Sequence, residues 1–261
     1  MIDFIEATLR GAGKIVSNSF GRSHQSSRKG DISNVVTQTD FASEKYIVNQ
    51  IKSIFPKDAI IAEETGFAAG STEYCWIIDP IDGTSNFAAA IPWFGIIIAR
   101  LKNWQPIAAG IYLPIQNEMY TATKGNGAWL NKKQIKASSE KDLKNLLISY
   151  GINFSNDESK IDQELKIIKK IIQNSRNLRS TNSVLDYCYV ASGKLGAYIN
   201  QTSNIWDNAG PYLIVTEAGG QHTDIKGKPL NFKCTKDNYD RNFTYICSST
   251  EVFSSILKLV I

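Results

Sequence analysis

Ile2, Ile5, Leu9, Ala12 and Val16 recur at helical spacing, so the chain is expected to open with an amphipathic helix. The polar, Gly- and Ser-rich stretch 21–34, which carries His24, Lys29 and Asp31, reads as a long loop. A second helix is predicted to start near Thr39-Asp40 and to bury Phe41, Ile47, Ile51 and Ile54 before Pro56 stops it. From 59 to 134 the pattern turns to β: apolar runs at 59–62, 76–78, 95–101, 106–112 and 118–123 read as strands, with Gly125, Gly127 and Asn131 at turns. Beyond it, strands are expected at 146–150 and 197–200, and helices at 160–174, 183–192 and 207–217. In the helix 160–174, Ile161, Leu165, Ile168 and Ile172 are expected to face the core, leaving Lys166, Lys169 and Lys170 as a solvated basic face. The pattern divides into an α+β half, 1–140, and an α/β half, 141–261, without internal repeats or a low-complexity linker.

Composition narrows the class. A chain of 261 residues can hold one large core or two joined subdomains, and a net charge of +4 is too small to argue for nucleic acid. Cys75, Cys188, Cys234 and Cys247 are far apart and mostly in apolar runs, as expected of reduced core residues in a cytoplasmic protein. No apolar run approaches the roughly 20 residues that cross a bilayer, and Asp3 and Glu6 argue against a signal peptide. His24 and His222 are the only histidines, which disfavours a histidine-based hydrolase or a His-rich zinc site.

The chemistry concentrates in Trp76-Ile77-Ile78-Asp79-Pro80-Ile81-Asp82-Gly83-Thr84-Ser85-Asn86-Phe87. A buried-strand pattern runs into two aspartates, and Gly83-Thr84-Ser85 looks like a helix entry. Carboxylates and a backbone carbonyl are the hard oxygen donors that Mg²⁺ favours, and unpaired N–H groups at a helix start hold phosphate. Asp-Pro and Asp-Gly are also common turn chemistry, and Asp82 could be only a helix cap. Two more acidic elements weigh against that reading: Glu63-Glu64 at the end of the 59–62 run, and Asp207 in Trp206-Asp207-Asn208-Ala209-Gly210 at a helix start.

With Val36-Thr37-Gln38-Thr39-Asp40, Ala62-Glu63-Glu64-Thr65, Gly125-Asn126-Gly127-Ala128 and Thr216-Glu217-Ala218-Gly219-Gly220, these elements make the chain resemble the inositol monophosphatase family of Mg²⁺-dependent, lithium-sensitive phosphatases over nearly its whole length. The resemblance implies a layered alpha-beta-alpha-beta-alpha sandwich of the inositol monophosphatase and fructose-1,6-bisphosphatase type, with the site between the halves. It implies hydrolysis of a small phosphate monoester by metal-activated water, two or three Mg²⁺ ions, and a homodimer. Glu63, Asp79 and the carbonyl of Ile81 are then expected at one metal, and Asp79, Asp82 and Asp207 at a second. The resemblance also implies a share for Glu63 in a third, weaker site. Glu63 and Thr84 would orient the water, and the N–H groups of Gly83 and Thr84 would take phosphate oxygens. Asp40 and Glu64 are expected to support the ligands from behind, although Asp40 could equally be only a helix cap.

On the substrate side, Asp82, Asp207, Ser183, Val184 and Asn200 are the implied contacts. Inositol-preferring members carry an acidic residue where this chain has Asn200, and Val184 is bulkier than the residues usual there. An amide donates and accepts where a carboxylate only accepts, so the preferred hydroxyl pattern should change. Fructose 1,6-bisphosphate, 3′-phosphoadenosine 5′-phosphate, histidinol phosphate and phosphorylated nicotinamide cofactors are substrates of relatives. Some bacterial members also act as partners of the transcription antitermination machinery, a role for which the 160–179 segment, with Arg176 and Arg179, would be the basic surface.

Overall fold

The computed structural model describes residues 1–22, 26–28 and 35–261. Of the predicted 21–34 loop, His24, Lys29 and Asp31 lie outside the described residues, and β1 (Ser26–Arg28) pairs antiparallel with β2 (Val35–Thr37). Helix α1 (Ile2–Ser19) buries Ile5, Leu9, Ala12 and Val16. Helix α2 (Gln38–Ile54) begins before the expected point, because Thr37 is its N-cap and Asp40 closes a capping box from the third helical position. Phe41 and Ile54, expected inside, are exposed; the buried stripe runs through Asp40, Ser43, Glu44, Ile47 and Ile51. Only the second half of α2 packs on apolar core, so its first turns turn polar groups inward.

Strands β3 (Ala59–Ala62), β4 (Gly66–Ala68), β5 (Tyr74–Asp82), β6 (Gly95–Lys102), β7 (Gln105–Leu113), β8 (Glu118–Thr123), β9 (Ala128–Leu130) and β10 (Lys133–Ile135) form one sheet in the order β10-β9-β8-β7-β6-β5-β3-β4. Helix α3 (Thr84–Ala88) follows β5 directly. The second sheet, ordered β12-β11-β13-β15-β14, comprises β11 (Leu147–Gly151), β12 (Asn177–Arg179), β13 (Ala197–Asn200), β14 (Gly220–Asp224) and β15 (Tyr245–Ser249).

Successive residues of β5 alternate between two cores. Cys75 and Ile77 face the middle of the molecule, whereas Trp76 and Ile78 face α1 and α2. Burial on both faces explains why this strand reads as an unbroken apolar run. Helices α5 (Leu185–Ala191) and α6 (Ile205–Glu217) fill the space between the sheets, and α4 (Glu158–Asn174) and α8 (Phe253–Val260) cover the far face of the second sheet. The result is the expected five-layer α-β-α-β-α sandwich. The sheets lie on either side of residue 140, but the middle core draws on both halves, from Ala59 to Cys247.

Helix α4 corrects an expectation. Its core face is Glu164, Ile167 and Ile171, while Ile161, Leu165 and Ile172 are exposed and Ile168 is half-buried. Two apolar stripes share this helix, and the sequence pattern picked out the outer one. The four cysteines are buried and unbridged, and among the described residues no helix is long and apolar enough to cross a membrane.

Candidate active site

The end of β5 departs from regular alternation in a way that makes the site. Residues three apart on a strand point to opposite faces, so Asp79 and Asp82 should diverge. The register shifts between them: Asp79 pairs with Ile97 and Asp82 with Gly95, leaving an extra residue bulged out at Pro80-Ile81. Pro80 has no N–H to leave unpaired there. Ser43 of α2 ties the bulge down, its Oγ donating to the Pro80 carbonyl at 3.0 Å, and the Ile81 N–H donates to Asp79 Oδ1 at 3.0 Å. Both carboxylates thereby reach the same cleft.

Asp207 arrives from the middle layer. It sits in the first turn of α6, whose N-cap is Asn204, so the helix begins at Ile205 and not at Asp207. The Asn204 N–H donates to Asp207 Oδ2 at 2.7 Å. Carboxylate oxygens of Asp79, Asp82 and Asp207 lie within 4.8 Å of one another. Glu63, at the turn after β3, lines the same cleft but is not one of this trio.

Three acids crowded together resist ionisation. Burial, then the charges of Glu63, Asp82, Asp207 and Asp40, hold the Asp79 carboxyl well above its ordinary value. Burial and the charge of Asp207 likewise raise Asp82, against the pull of the Val184 N–H, which donates to Asp82 Oδ1. Burial pushes Asp207 up to about 6. Among the described residues lining the cleft, none carries a cationic side chain to relieve this repulsion. An all-oxygen, mutually repelling donor set fits a hard divalent cation.

Gly83 turns the chain from the bulge into α3 with φ of 89°. A Cβ there would also meet the Trp93 carbonyl at 2.7 Å, so glycine is required on both counts. Thr84 Oγ1 lies 2.8 Å from the Ile81 carbonyl and 3.1 Å from Asp40 Oδ1. Asp40 closes the α2 capping box and also accepts from Thr84 Oγ1. Glu64 does not line the cleft; its N–H donates to Glu44 Oε2 at 2.7 Å.

The other wall comes from the second half of the chain. Ser183 and Asn200 line it. Val184 does not: its side chain is fully buried in the middle core, and only its backbone N–H reaches a site residue. Its bulk fills the space beside Gly95, where a Cβ would lie 2.7 Å from Val184 Cγ1. An amide chain passed over in the sequence runs along this wall. Asn182 Nδ2 donates to Asn153 Oδ1 at 3.0 Å, Asn153 Nδ2 to Asn200 Oδ1 at 3.4 Å, and Asn200 Nδ2 to the Tyr198 hydroxyl at 3.2 Å. Asn153 and Asn182 stand in loops and carry no periodic signal, so only the fold brings them to Asn200 at the end of β13. His222 is buried, with Nε2 3.2 Å from Asn208 Oδ1.

A five-layer sandwich with a carboxylate cluster in the cleft between its sheets has the architecture of the inositol monophosphatase class, and an inositol monophosphatase of Thermotoga maritima superimposes with a TM-score of 0.88 at 31% identity, covering 99% of this chain and 95% of that one. The sequence model of the inositol monophosphatase family matches residues 1–255, and the chain belongs to that family. It is similar to the Nus factor SuhB of Haemophilus influenzae, 35% identical over 100% of this chain and 95% of the relative. It is also similar to a fructose-1,6-bisphosphatase/inositol-1-monophosphatase of Thermotoga maritima, 32% identical over 99% and 95%.

Proposed function

We propose that this chain is a Mg²⁺-dependent phosphate monoester hydrolase of the inositol-1-phosphatase type. The observation that carries the reading is the meeting of Asp79, Asp82 and Asp207 within 4.8 Å, beside the backbone donors of Gly83 and Thr84. Asp79, Asp82, Asp207, Glu63 and the Ile81 carbonyl would hold the metal. Mg²⁺ bound there supplies Lewis-acid charge for the phosphoryl and leaving oxygens and acidifies water. The N–H groups of Gly83 and Thr84, free of helical partners at the start of α3, receive phosphoryl oxygens. The Thr84 hydroxyl gives its one proton to Asp40 or the Ile81 carbonyl, so it can only accept from an attacking water. Glu63 accepts the second proton of that water, which aims the lone pair at phosphorus.

The cavity of about 150 Å³ is lined chiefly by polar side chains, which suits a hydroxyl-rich ester. Its amide wall presents neutral donors and acceptors to hydroxyls. A panel of inositol 1-phosphate, fructose 1,6-bisphosphate, 3′-phosphoadenosine 5′-phosphate, histidinol phosphate, a phosphorylated nicotinamide cofactor and 2-glycerophosphate, with Mg²⁺ or excess EDTA, tests the reading. Mg²⁺-dependent phosphate release, greatest on the polyol esters and lost in EDTA, is expected; full activity in chelator would refute it. In the same panel Asn200→Asp should raise kcat/KM for inositol 1-phosphate relative to 2-glycerophosphate about tenfold, since a hydrogen bond to a charged acceptor is worth roughly 1.5–3 kcal/mol. Asp keeps the acceptor that the Thr202 N–H uses at 2.8 Å, so the wall should hold its shape. An unchanged ratio would remove Asn200 from the hydroxyl contacts. No turnover on any ester, together with salt-dependent RNA binding, would favour the transcription-complex role that the name of the Haemophilus relative suggests.

The assembly we propose is a homodimer through the outer face of α4. Ile161, Leu165, Ile168 and Ile172 repeat at the alternating spacing of a helix-pairing seam, flanked by exposed Asp162 and Lys169. Antiparallel pairing with a second copy brings Leu165 onto Ile168 and Asp162 toward the oppositely charged Lys169. Sedimentation should show a dimer for the wild type and a monomer for Leu165→Lys/Ile172→Lys. A monomeric wild type would rule the seam out.

A further inference from the structure

We infer that Tyr239 is a positioning residue that sets Glu63, from the first half of the chain, against Asp207, from the second. The inference rests on the metal-site reading above. Tyr239 ends the short helix α7 (Lys236–Tyr239), in the connection between β14 and β15. Its hydroxyl donates to the backbone carbonyl of Glu63 at 2.8 Å, a contact between residues 176 positions apart. Its ring packs on Trp206, centroids 5.0 Å apart at 45°, and Trp206 immediately precedes Asp207. One side chain thus touches the residue that bears one acidic group and the neighbour of another.

The surroundings make this contact a means of alignment. From the first half, the Glu63 N–H donates to the Ile78 carbonyl at 3.3 Å, one residue before Asp79. The N–H groups of Glu64 and Thr65 donate to the two oxygens of the buried Glu44 carboxylate at 2.7 and 2.9 Å. These bonds fix Glu63 relative to β5 and α2 but say nothing about α6. Helix α6 packs on β5 in the middle core, and Tyr239 adds a direct tie from Glu63 to the start of that helix. Its own segment is held in place by Asn238, buried, whose Nδ2 donates to the carbonyls of Lys233 at 2.8 Å and Asn231 at 3.2 Å. Tyr239 itself is only half-buried, so water can replace its hydroxyl on the Glu63 carbonyl. Removing the hydroxyl should loosen the alignment of the two halves more than it harms the fold.

The test compares wild type and Tyr239→Phe by thermal unfolding over a Mg²⁺ titration, with EDTA-treated protein as the reference; it reads binding by mass action and needs no turnover. Tyr239→Phe should raise the Mg²⁺ concentration for half-maximal stabilisation about fivefold, the size of one neutral hydrogen bond. In a Glu63→Gln background the same substitution should leave the midpoint where Glu63→Gln alone sets it, because the effect runs through Glu63. An equal loss of Tm with and without Mg²⁺, at an unchanged midpoint, would make Tyr239 a purely structural contact and overturn the inference. A wild type with no Mg²⁺ response would instead overturn the metal site itself.

Discussion

Asp82→Asn and Asp207→Asn should each fold normally and lose at least about 100-fold in Mg²⁺-dependent turnover. The fold should survive because asparagine keeps the volume and one acceptor oxygen. At 82 that oxygen can still take the Val184 N–H, and at 207 it can still take the Asn204 N–H that closes the α6 capping box at 2.7 Å. Each change also removes a charge from a group of acids that repel one another, which offsets any weakening of those bonds. Turnover should collapse because each carboxylate belongs to the trio whose oxygens meet within 4.8 Å, and an amide oxygen brings no charge to a hard cation. Phosphate release over a Mg²⁺ titration, with a thermal melt of each variant, separates the two effects. Near-wild-type rates at saturating Mg²⁺ would mean that these residues do not hold the metal.

The metal-free protein should become less stable as pH rises from about 4 to about 7, relative to Asp79→Asn. Unfolded aspartates titrate near 3.9, whereas burial and like charges raise Asp79 and Asp82 in the folded chain and push Asp207 up to about 6. Between those values the folded state binds more protons than the unfolded state, so stability falls with rising pH. The penalty is absent below the unfolded value and complete above the folded one. Asp79→Asn removes the most crowded of the three charges, so its Tm in EDTA should exceed that of the wild type by several degrees at pH 7 and converge with it near pH 4. Saturating Mg²⁺ should abolish or reverse the difference, because the cation stabilises the ionised wild-type set and has lost a ligand in the variant. Parallel Tm curves for the two proteins in EDTA would show that the acids do not repel in the way their burial implies.

Much of the fold could be read from the chain itself. The α1 stripe of Ile5, Leu9, Ala12 and Val16 and the run at 76–78 are local patterns whose periods report burial on one face or on two. Where several faces compete, local pattern fails. Leu165 and Ile172 obey helical spacing as well as Ile167 and Ile171 do, and only the position of the second sheet decides which pair is covered. Phe41 fails for the same reason, since the start of α2 lies against the bulge of β5, where a polar Ser43 is needed to hold the Pro80 carbonyl.

The candidate site divides along the same line. Three acidic elements at strand ends and helix starts together pointed to Glu63, Asp79, Asp82 and Asp207, with Gly83 and Thr84 at a helix entry, and the family resemblance supplied their expected roles. Their convergence was a tertiary matter: the register shift at Pro80-Ile81 turns two aspartates to one side, and the middle layer delivers Asp207 to them. Glu44, Asn153, Asn182 and Tyr239 had no local signature at all. Each acts through a partner far away in sequence, Tyr239 on Glu63 across 176 residues, and such pairings exist only once the sheets are packed. Donor chemistry and the elements that carry it are local properties of the chain. Distance, shared faces and mutual repulsion belong to the fold, because they depend on which surfaces meet.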